Sequence, residues 1–404
     1  MSGLTSLAFI AAIGVNTHIP YTDGAYANIG NMLADAHYLG VSNLRDSITD
    51  GQNGAAPLAS YIRLAAAGMH FTILSGVSGH LTDATLAAKL KLIDRLAHAA
   101  PGSVVAVEGV NEINNFPITF NGVPGLQGAV DMQRALYRAV HADPALPGVS
   151  VDYFTGYAAG DYGPGPSPEA VAGLADYDNQ HPYPNDAQPP SRWVDPKHVL
   201  GNEPRGIGPA VYTETGYSSD PKLPGGVNQD VQAKYELDLL CDAARYGVSR
   251  VYLYELLDAY PPGSPQGYDG YGLFNPNNTP KPVATALHNL TAILAAGAMP
   301  AKPGALPPLA FTLPGSPPPY TLVLRKSANT VDILVWREPE IWDEARHVEI
   351  PAPVITETMR FAAPHARIAI FDPLISDHPI QTAQAVSQVI FAVSDHPVIV
   401  EITR

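Results

Sequence analysis

The sequence has very little of several features that define whole classes of protein. Its 404 residues include a single cysteine, Cys241, so no intrachain disulfide can form and no cysteine-based zinc site is present. No apolar stretch reaches the roughly 18 residues that a membrane span needs. No basic run occurs and the formal net charge is −15, so nucleic acid and anionic membranes are poor partners.

What the sequence does have is enough apolar material for a large core. Hydrophobic residues make up 46% of the chain and charged residues only 15%. A chain of this length is too long for one small core, and it suits one barrel-sized domain with a smaller second domain. The acidic surface does not repel a neutral sugar polymer.

Short apolar runs alternate with helical patterns from residue 8 to about residue 298. Apolar residues at i, i+3 and i+4 spacing predict helices within 29–36, 86–97 and 233–244. The apolar runs predict strands at 8–15, 42–45, 70–74, 104–107, 149–153, 177–179, 210–213 and 251–254. Eight such units predict a closed (β/α)8 TIM barrel over residues 1–298. An open doubly wound sheet is the alternative, but the glycine-rich phosphate loop that such sheets usually carry is missing.

The apolar run from Leu4 to Val15 has two interpretations. It resembles the central part of a signal peptide, but no lysine or arginine precedes it and no cleavage site follows it. We therefore predict that it contains the first barrel strand. A secreted or periplasmic location in a bacterium is still expected, since such proteins often lack disulfides, with no leader visible in this sequence.

The composition changes near residue 297, where a proline-rich stretch begins. The runs that follow, such as YTLVLRKSANTVDILVWRE, alternate apolar and polar residues with period two. They predict an antiparallel β-sandwich as an accessory domain over residues 299–404. Residues from the N-terminus are a possible source of one further strand.

Reactive groups in a barrel of this kind lie at the carboxyl ends of the strands. Two carboxylates, Glu112 and Glu214, follow the apolar cores of the fourth and seventh predicted strands. Cleavage of a glycosidic bond needs two carboxyl groups, one to protonate the leaving oxygen and one to attack or to activate water. The sequence therefore predicts a glycosidase site in the barrel mouth.

Several segments resemble the signatures of clan A glycoside hydrolases, and of family 39-like members in particular. VVAVEGVNEINN is similar to their fourth strand, and VYTETGYSS is similar to their seventh. DNQHPYPN resembles the sixth strand, LRDS the second, and YGLFNPNNTPKPVATALHNL the exit from the eighth. The resemblance covers residues 8 to 298, and the predicted sandwich fits the accessory domain of several such families.

The resemblance implies a role for each matched residue. Glu112 becomes the acid/base, Glu214 the nucleophile and Asn111 a ligand of the sugar 2-hydroxyl. Arg45, His181 and Tyr183 become further substrate-site residues. We expect Glu112 to be held protonated with a raised pKa, and Glu214 to be kept ionised by Arg45 and Tyr183.

Further candidates come from their positions at strand ends. Asn16 and His18 follow the first strand, and Tyr254 and Glu255 end the eighth, where clan A enzymes often have a tryptophan. Glu255 is also a rival catalytic carboxylate. The loops at 116–126 and 156–168 are expected to shape the groove. His80 and Glu203 are weaker candidates, as are the loop tyrosines Tyr21, Tyr157, Tyr162, Tyr217 and Tyr260.

The sequence favours a retaining β-glycosidase that needs no metal or organic cofactor. The alternatives are a non-catalytic carbohydrate-binding barrel, a polysaccharide lyase and a metal-dependent hydrolase, since barrels host many reactions. A pure binder has no need of both carboxylates together with Arg45 and the His-x-Tyr pair. Oligomeric state, the sugar, and endo or exo action stay open.

Overall fold

Eight parallel strands form a barrel in the computed structural model, which describes residues 4–156, 173–196, 208–300 and 309–404. With strands numbered in chain order, the barrel consists of β1 (Ile13–Asn16), β2 (Asn43–Ser47), β3 (His70–Gly76), β5 (Val104–Val110), β8 (Ser150–Asp152), β9 (Asp178–Gln180), β10 (Ala210–Thr215) and β11 (Val251–Leu253). Their order is β8-β5-β3-β2-β1-β11-β10-β9, and a parallel bridge from Asp152 to Tyr177 closes the ring. The predicted TIM barrel is confirmed.

Helices pack around the outside of this barrel. They are α1 (Ser6–Ala11), α2 (Ile29–Leu39), α3 (Leu58–Ala66), α4 (Asp83–Ala99), α5 (Gly125–Ala142), α6 (Gln229–Tyr246) and α7 (Pro282–Ala295). Between β9 and β10 the described residues form two 3-10 turns, Asn185–Ala187 and Pro190–Arg192. Among the described helices, none is both long and apolar enough to cross a membrane.

The prediction of one continuous strand over 8–15 was wrong. The chain forms helix α1 up to Ala11, and strand β1 begins only at Ile13. Thr5 caps the helix, since its hydroxyl accepts a hydrogen bond from the Ala8 amide, and Ser6 and Phe9 are buried on one face. A short apolar run has no period that separates a strand from a buried helix, which explains the error.

The predicted mouth loop 116–126 contains regular structure. Strands β6 (Ile118–Phe120) and β7 (Val123–Pro124) form a hairpin around Asn121 and Gly122, both with positive φ. An Asn-Gly pair is typical of this tight turn. The hairpin pairs in parallel with β4 (Gly79–Leu81), so a three-stranded minisheet joins the loops that follow β3 and β5. Residues 157–168 of the second predicted loop lie outside the described residues, as does Glu203.

The predicted β-sandwich follows the barrel. Its strands are β12 (Phe311–Thr312), β13 (Tyr320–Arg325), β14 (Thr330–Trp336), β17 (Ile355–Phe371), β18 (Gln381–Val393) and β19 (Val398–Thr403), with a small pair β15 (Trp342–Asp343) and β16 (Val348–Glu349). The long strand β17 pairs with β12 and β18 through its first half and with β18 and β19 through its second. Side chains from both halves, including Met359 and Ile368, meet in one core.

The sandwich packs directly on the barrel. Trp336 and Ile399 belong to the same apolar cluster as the barrel helices, and Lys234 on α6 forms ion pairs with Glu349 and Asp395. From the described part of the N-terminal segment, Thr5 forms a parallel bridge with Arg325 of the sandwich. Since the two parts share a core, a boundary at residues 298/299 stays a prediction.

Candidate active site

A cavity of about 600 Å³ opens at the carboxyl ends of the barrel strands. Eight of the predicted site residues line it, namely Asn16, His18, Arg45, Asn111, Glu112, Tyr183, Glu214 and Tyr254. The other two, His181 and Glu255, are buried behind its wall. The barrel therefore brings together residues that are up to 238 positions apart in the sequence.

Arg45 is the centre of the hydrogen-bond network below the cavity. Nε and Nη2 donate to the two carboxylate oxygens of Glu108, each at 2.8 Å. Nη2 also donates to Oδ1 of Asn111 at 2.7 Å, and Nη1 donates to Oδ1 of Asn16 at 3.1 Å and to Oε1 of Glu214. These contacts use all five N–H donors of the guanidinium. Burial alone lowers the pKa of Arg45, but the carboxylates of Glu108 and Glu214 outweigh it and raise that pKa.

Glu214 projects inward because strand β10 is irregular at this point. The register with β11 shifts between Tyr212 and Thr215, and as a result two consecutive side chains, Thr213 and Glu214, both reach the barrel interior. Such a bulge re-aims side chains. The Oε2 atom of Glu214 accepts a hydrogen bond of 2.9 Å from the hydroxyl of Tyr183. The carboxylate thus lies between the Arg45 guanidinium and a hydroxyl donor.

Glu112 is positioned by an unusual backbone conformation just after β5. Its φ is +35°, and its amide donates to the hydroxyl of Thr155 at 3.1 Å. Gly156 packs against it so closely that a Cβ there would lie 2.2 Å from the Glu112 Cα. Only glycine fits at 156, and the loop after β8 therefore holds the Glu112 backbone in place.

The protonation state of Glu112 differs from the sequence-based expectation. Burial raises the pKa of its carboxyl, but the hydrogen bonds from His181 and Asn115 and the charge of His181 outweigh burial and lower that pKa to about 2. His181 Nδ1 lies 2.8 Å from Glu112 Oε1, and Nε2 lies 2.9 Å from the hydroxyl oxygen of Thr213. The expected raised pKa was wrong, because the neighbouring imidazole holds the proton.

The pKa of His181 is shifted in the opposite direction to that of Glu112. Burial lowers its pKa, but the charges of Glu214 and Glu112 and the hydrogen bond to Glu112 raise it above 6.5 overall. Both ring nitrogens then donate, Nδ1 to Glu112 and Nε2 to Thr213. Sequence reasoning placed His181 among the substrate contacts, whereas the structure places it behind Glu112.

A second imidazole–carboxylate pair forms the opposite wall. His18 Nε2 lies 3.1 Å from Oε2 of Glu255 and 3.2 Å from the hydroxyl of Tyr254. Burial lowers the pKa of His18, but Glu255 outweighs it and raises it. Glu255 is 1% exposed and also accepts a hydrogen bond of 2.8 Å from Tyr26. It therefore contacts His18 from the protein interior and does not face the cavity.

Tyrosine rings line the cavity near the end of the eighth barrel strand, where the sequence has no tryptophan. Tyr254 and Tyr183 line the cavity together with Tyr271, which the strand-end rule missed because it lies 17 residues beyond Tyr254 in a long loop. The rings of Tyr254 and Tyr271 meet edge to face at 5.7 Å. Tyr21 also lines the cavity, whereas Tyr217 is buried elsewhere and Tyr157 and Tyr162 lie outside the described residues.

Two other loop residues lie away from the cavity lining. His80 is exposed on the minisheet, with Nδ1 2.9 Å from the hydroxyl of Thr119. Tyr260 donates a hydrogen bond of 2.8 Å to Asp23.

Asn115, by contrast, was not predicted from the sequence, and its side-chain amide donates to Oε2 of Glu112 at 2.8 Å. Its position one helical turn after Glu112 is the signal that identifies it.

Glu112, His181 and Glu214 have one ligand atom each within 4.8 Å of one another, and among the described residues they are the group that could hold a metal ion. Both ring nitrogens of His181 already make hydrogen bonds, and the Arg45 cation contacts Glu214. A divalent cation would have to displace the proton and oppose the arginine. The contacts thus favour two carboxylates hydrogen-bonded to neighbouring side chains over a metal site.

Comparison with known proteins gives a match at the level of structure. No protein-family model matches the chain, and no curated protein matches its sequence. A family 39 glycoside hydrolase from Bacteroides cellulosilyticus WH2 superposes with a TM-score of 0.64 at 14% identity, over 99% of this chain and 82% of that one. This chain shares the fold of that glycoside hydrolase.

Two further solved structures share that fold. A family 39 β-xylosidase from Caulobacter crescentus has a TM-score of 0.57 at 15% identity, over 100% of this chain and 97% of that one. A glucosidase from Croceicoccus marinus has a TM-score of 0.57 at 12% identity, over 98% and 96%. Both matches include the sandwich as well as the barrel, so the two-part architecture is common to these proteins.

Proposed function

We propose that the protein is a retaining β-glycosidase in which Glu214 is the nucleophile and Glu112 the acid/base. The observation that carries this proposal is the closeness of the two carboxylates, which have one oxygen each within 4.8 Å. Retaining enzymes have carboxyl groups roughly 5–5.5 Å apart, whereas inverting enzymes need roughly 6.5–9.5 Å to admit a water molecule. The glycosidase fold of its structural neighbours supports the same assignment.

The environments of the two carboxylates suit different tasks. Glu214 accepts hydrogen bonds from Arg45 and Tyr183, which orient it as an attacking carboxylate needs. Glu112 shares a proton with His181, so a proton lies one hydrogen bond from the carboxylate that faces the glycosidic oxygen. When that oxygen begins to leave, Glu112 delivers the proton and His181 supplies it.

Asn111 completes the site. Its Oδ1 is occupied by Arg45, whereas none of the described residues accepts a hydrogen bond from its Nδ2, which is available to the cavity. A donor in this position suits the sugar 2-hydroxyl, whose hydrogen bonds strengthen in the oxocarbenium-like transition state. A carbohydrate-binding barrel without catalysis is the alternative, and the ionised state of Glu112 is the observation that favours it.

Hydrolysis tests the proposal against this alternative. We expect cleavage of aryl β-xylosides, aryl β-glucosides or a β-linked oligosaccharide, with the β-anomer as first product in NMR spectra recorded during the reaction. Heat-inactivated protein is the control. The α-anomer as first product would contradict retention, and binding without turnover of the same sugars would favour the non-catalytic barrel.

The pH dependence of kcat/KM tests the role of His181. The productive form keeps one proton on the Glu112–His181 pair, and the raised pKa of His181 means that this proton is lost only at a pH above 6.5. In His181→Asn the proton must reside on Glu112 alone, and we expect the basic limb of the profile to move to lower pH. An unchanged limb in a folded variant would exclude His181 as the proton store.

A further inference from the structure

An apolar ledge borders the cavity on the Glu112 side. Leu74 and Val77 at the end of β3 and Phe116 after β5 all line the cavity, and Val77 and Phe116 are 39% and 41% exposed. The amide of Phe116 donates to the carbonyl of Glu112 at 2.8 Å, which places Phe116 on the same turn as the proposed acid/base. The ledge therefore lies beside the carboxylate that protonates the leaving group.

The minisheet holds this ledge in place. Gly79 pairs with Ile118, and the Gly79 amide donates to the carbonyl of Pro117 at 3.3 Å, so the segments that carry Val77 and Phe116 enter the minisheet side by side. Ile118 and Phe120 anchor the hairpin in the core, and Asn121 exchanges two hydrogen bonds with Asp83 at 3.0 and 3.1 Å. The two apolar side chains are thus carried by an ordered support, although they are exposed to solvent. Exposed apolar groups beside a cavity often mark a binding site.

The rest of the cavity is polar by comparison. Asn16, Arg45, Asp46 and Glu214 surround the position where a sugar ring would meet the nucleophile. Asn115 also lines the cavity next to Phe116 in sequence, and its amide nitrogen already donates to Glu112. A second sugar would leave several hydroxyls without partners there, which is costly, whereas an apolar group would gain contact area.

We propose that Leu74, Val77 and Phe116 form a leaving-group site that selects an apolar, planar aglycone over a sugar. The inference rests on the proposed retaining glycosidase activity and specifies its substrate class. A β-glycoside of an aromatic alcohol fits both halves of the cavity, with the sugar in the polar half and the aromatic ring on the ledge. In the reverse direction, the same site binds an aromatic alcohol next to the glycosyl-enzyme. The alcohol oxygen attacks the anomeric carbon, its proton passes to Glu112, and Glu214 leaves as carboxylate.

Acceptor competition measures this selectivity independently of the leaving group. β-Xylosyl and β-glucosyl fluoride, which have no aglycone, would form the same glycosyl-enzyme, and 2-phenylethanol and free xylose would then compete for it at equal concentration. We expect the 2-phenylethyl glycoside to exceed the disaccharide by about tenfold in the wild type, and Phe116→Ala to reduce that ratio by about tenfold. Hydrolysis of the fluoride is recorded for each variant, so that a general loss of activity is separated from a change in acceptor choice.

Val123→Ala is the matched control, since Val123 is an exposed apolar residue of the same minisheet that does not line the cavity. Its acceptor ratio should equal that of the wild type. A wild-type preference for xylose, or an equal loss of fluoride hydrolysis and acceptor selectivity in Phe116→Ala, would overturn the ledge while leaving the glycosidase intact. If the wild type hydrolyses neither fluoride, the proposed glycosidase function itself fails, and the ledge proposal falls with it.

Discussion

Replacement of Glu214 by glycine is expected to reduce kcat by roughly 10⁴- to 10⁶-fold, because the group that attacks the anomeric carbon is removed. The variant leaves a space beside Arg45, and added azide should enter it as a substitute nucleophile. The product expected by NMR is the α-glycosyl azide, since a single displacement inverts the β-configuration.

Glu112→Ala is the matched variant on the other side of the bond. It should keep the nucleophile, form the glycosyl-enzyme from substrates with good leaving groups, and give the β-glycosyl azide after two displacements. The two azide products of opposite configuration therefore distinguish the roles of the two carboxylates. Wild-type rates in both variants would rule out the pair, and Glu255 is too deeply buried to replace it without rearrangement.

Replacement of Arg45 by methionine is expected to have the largest effect on stability. It removes the guanidinium that donates to both carboxylate oxygens of Glu108, which is 0% exposed, and leaves that buried carboxylate with only a longer contact of 3.9 Å to His181 Nε2 among the described ion pairs. Breaking a buried pair from one side costs about 3–5 kcal/mol in the free energy of unfolding. Chemical denaturation followed by circular dichroism measures this loss, and kcat/KM should fall with it because Glu214 loses its cation.

The double variant Arg45→Met/Glu108→Met separates these two effects. Replacing both members of a buried ion pair by apolar side chains is often neutral. We therefore expect the double variant to recover most of the stability lost by Arg45→Met, while activity stays low. Recovery of activity together with stability would mean that Arg45 acts on the fold alone and not on Glu214.

The arrangement of interior charges explains why both predictions concern one network. Arg45 and His181 lie against three carboxyl groups, Glu108, Glu112 and Glu214, so acidic side chains outnumber basic ones in this buried cluster. Two of these acidic side chains, Glu112 and Glu214, face the cavity. A positively charged, oxocarbenium-like transition state would compensate this acidic excess, in keeping with electrostatic stabilisation by preorganised groups.

The sequence by itself determined the barrel, the sandwich and the positions of the catalytic candidates. Alternating strands and helices have distinct periods, and in a parallel barrel every strand ends at the same mouth, so polar residues that follow apolar runs must converge there. Asn111, Glu112 and Glu214 could be identified for this reason. Short apolar runs lack such a period, which is why α1 was mistaken for part of a strand.

The tertiary structure alone decided how these groups are charged and which of them face substrate. The pKa of Glu112 depends on His181, which is 69 residues away in the sequence and 2.8 Å away in space. Glu255 and Glu214 both end apolar strands, but only the latter reaches the cavity, because the bulge in β10 turns it inward. Hydrogen bonds and close ion pairs need separations of a few ångströms, and contacts of that range between distant segments exist only once the chain has folded.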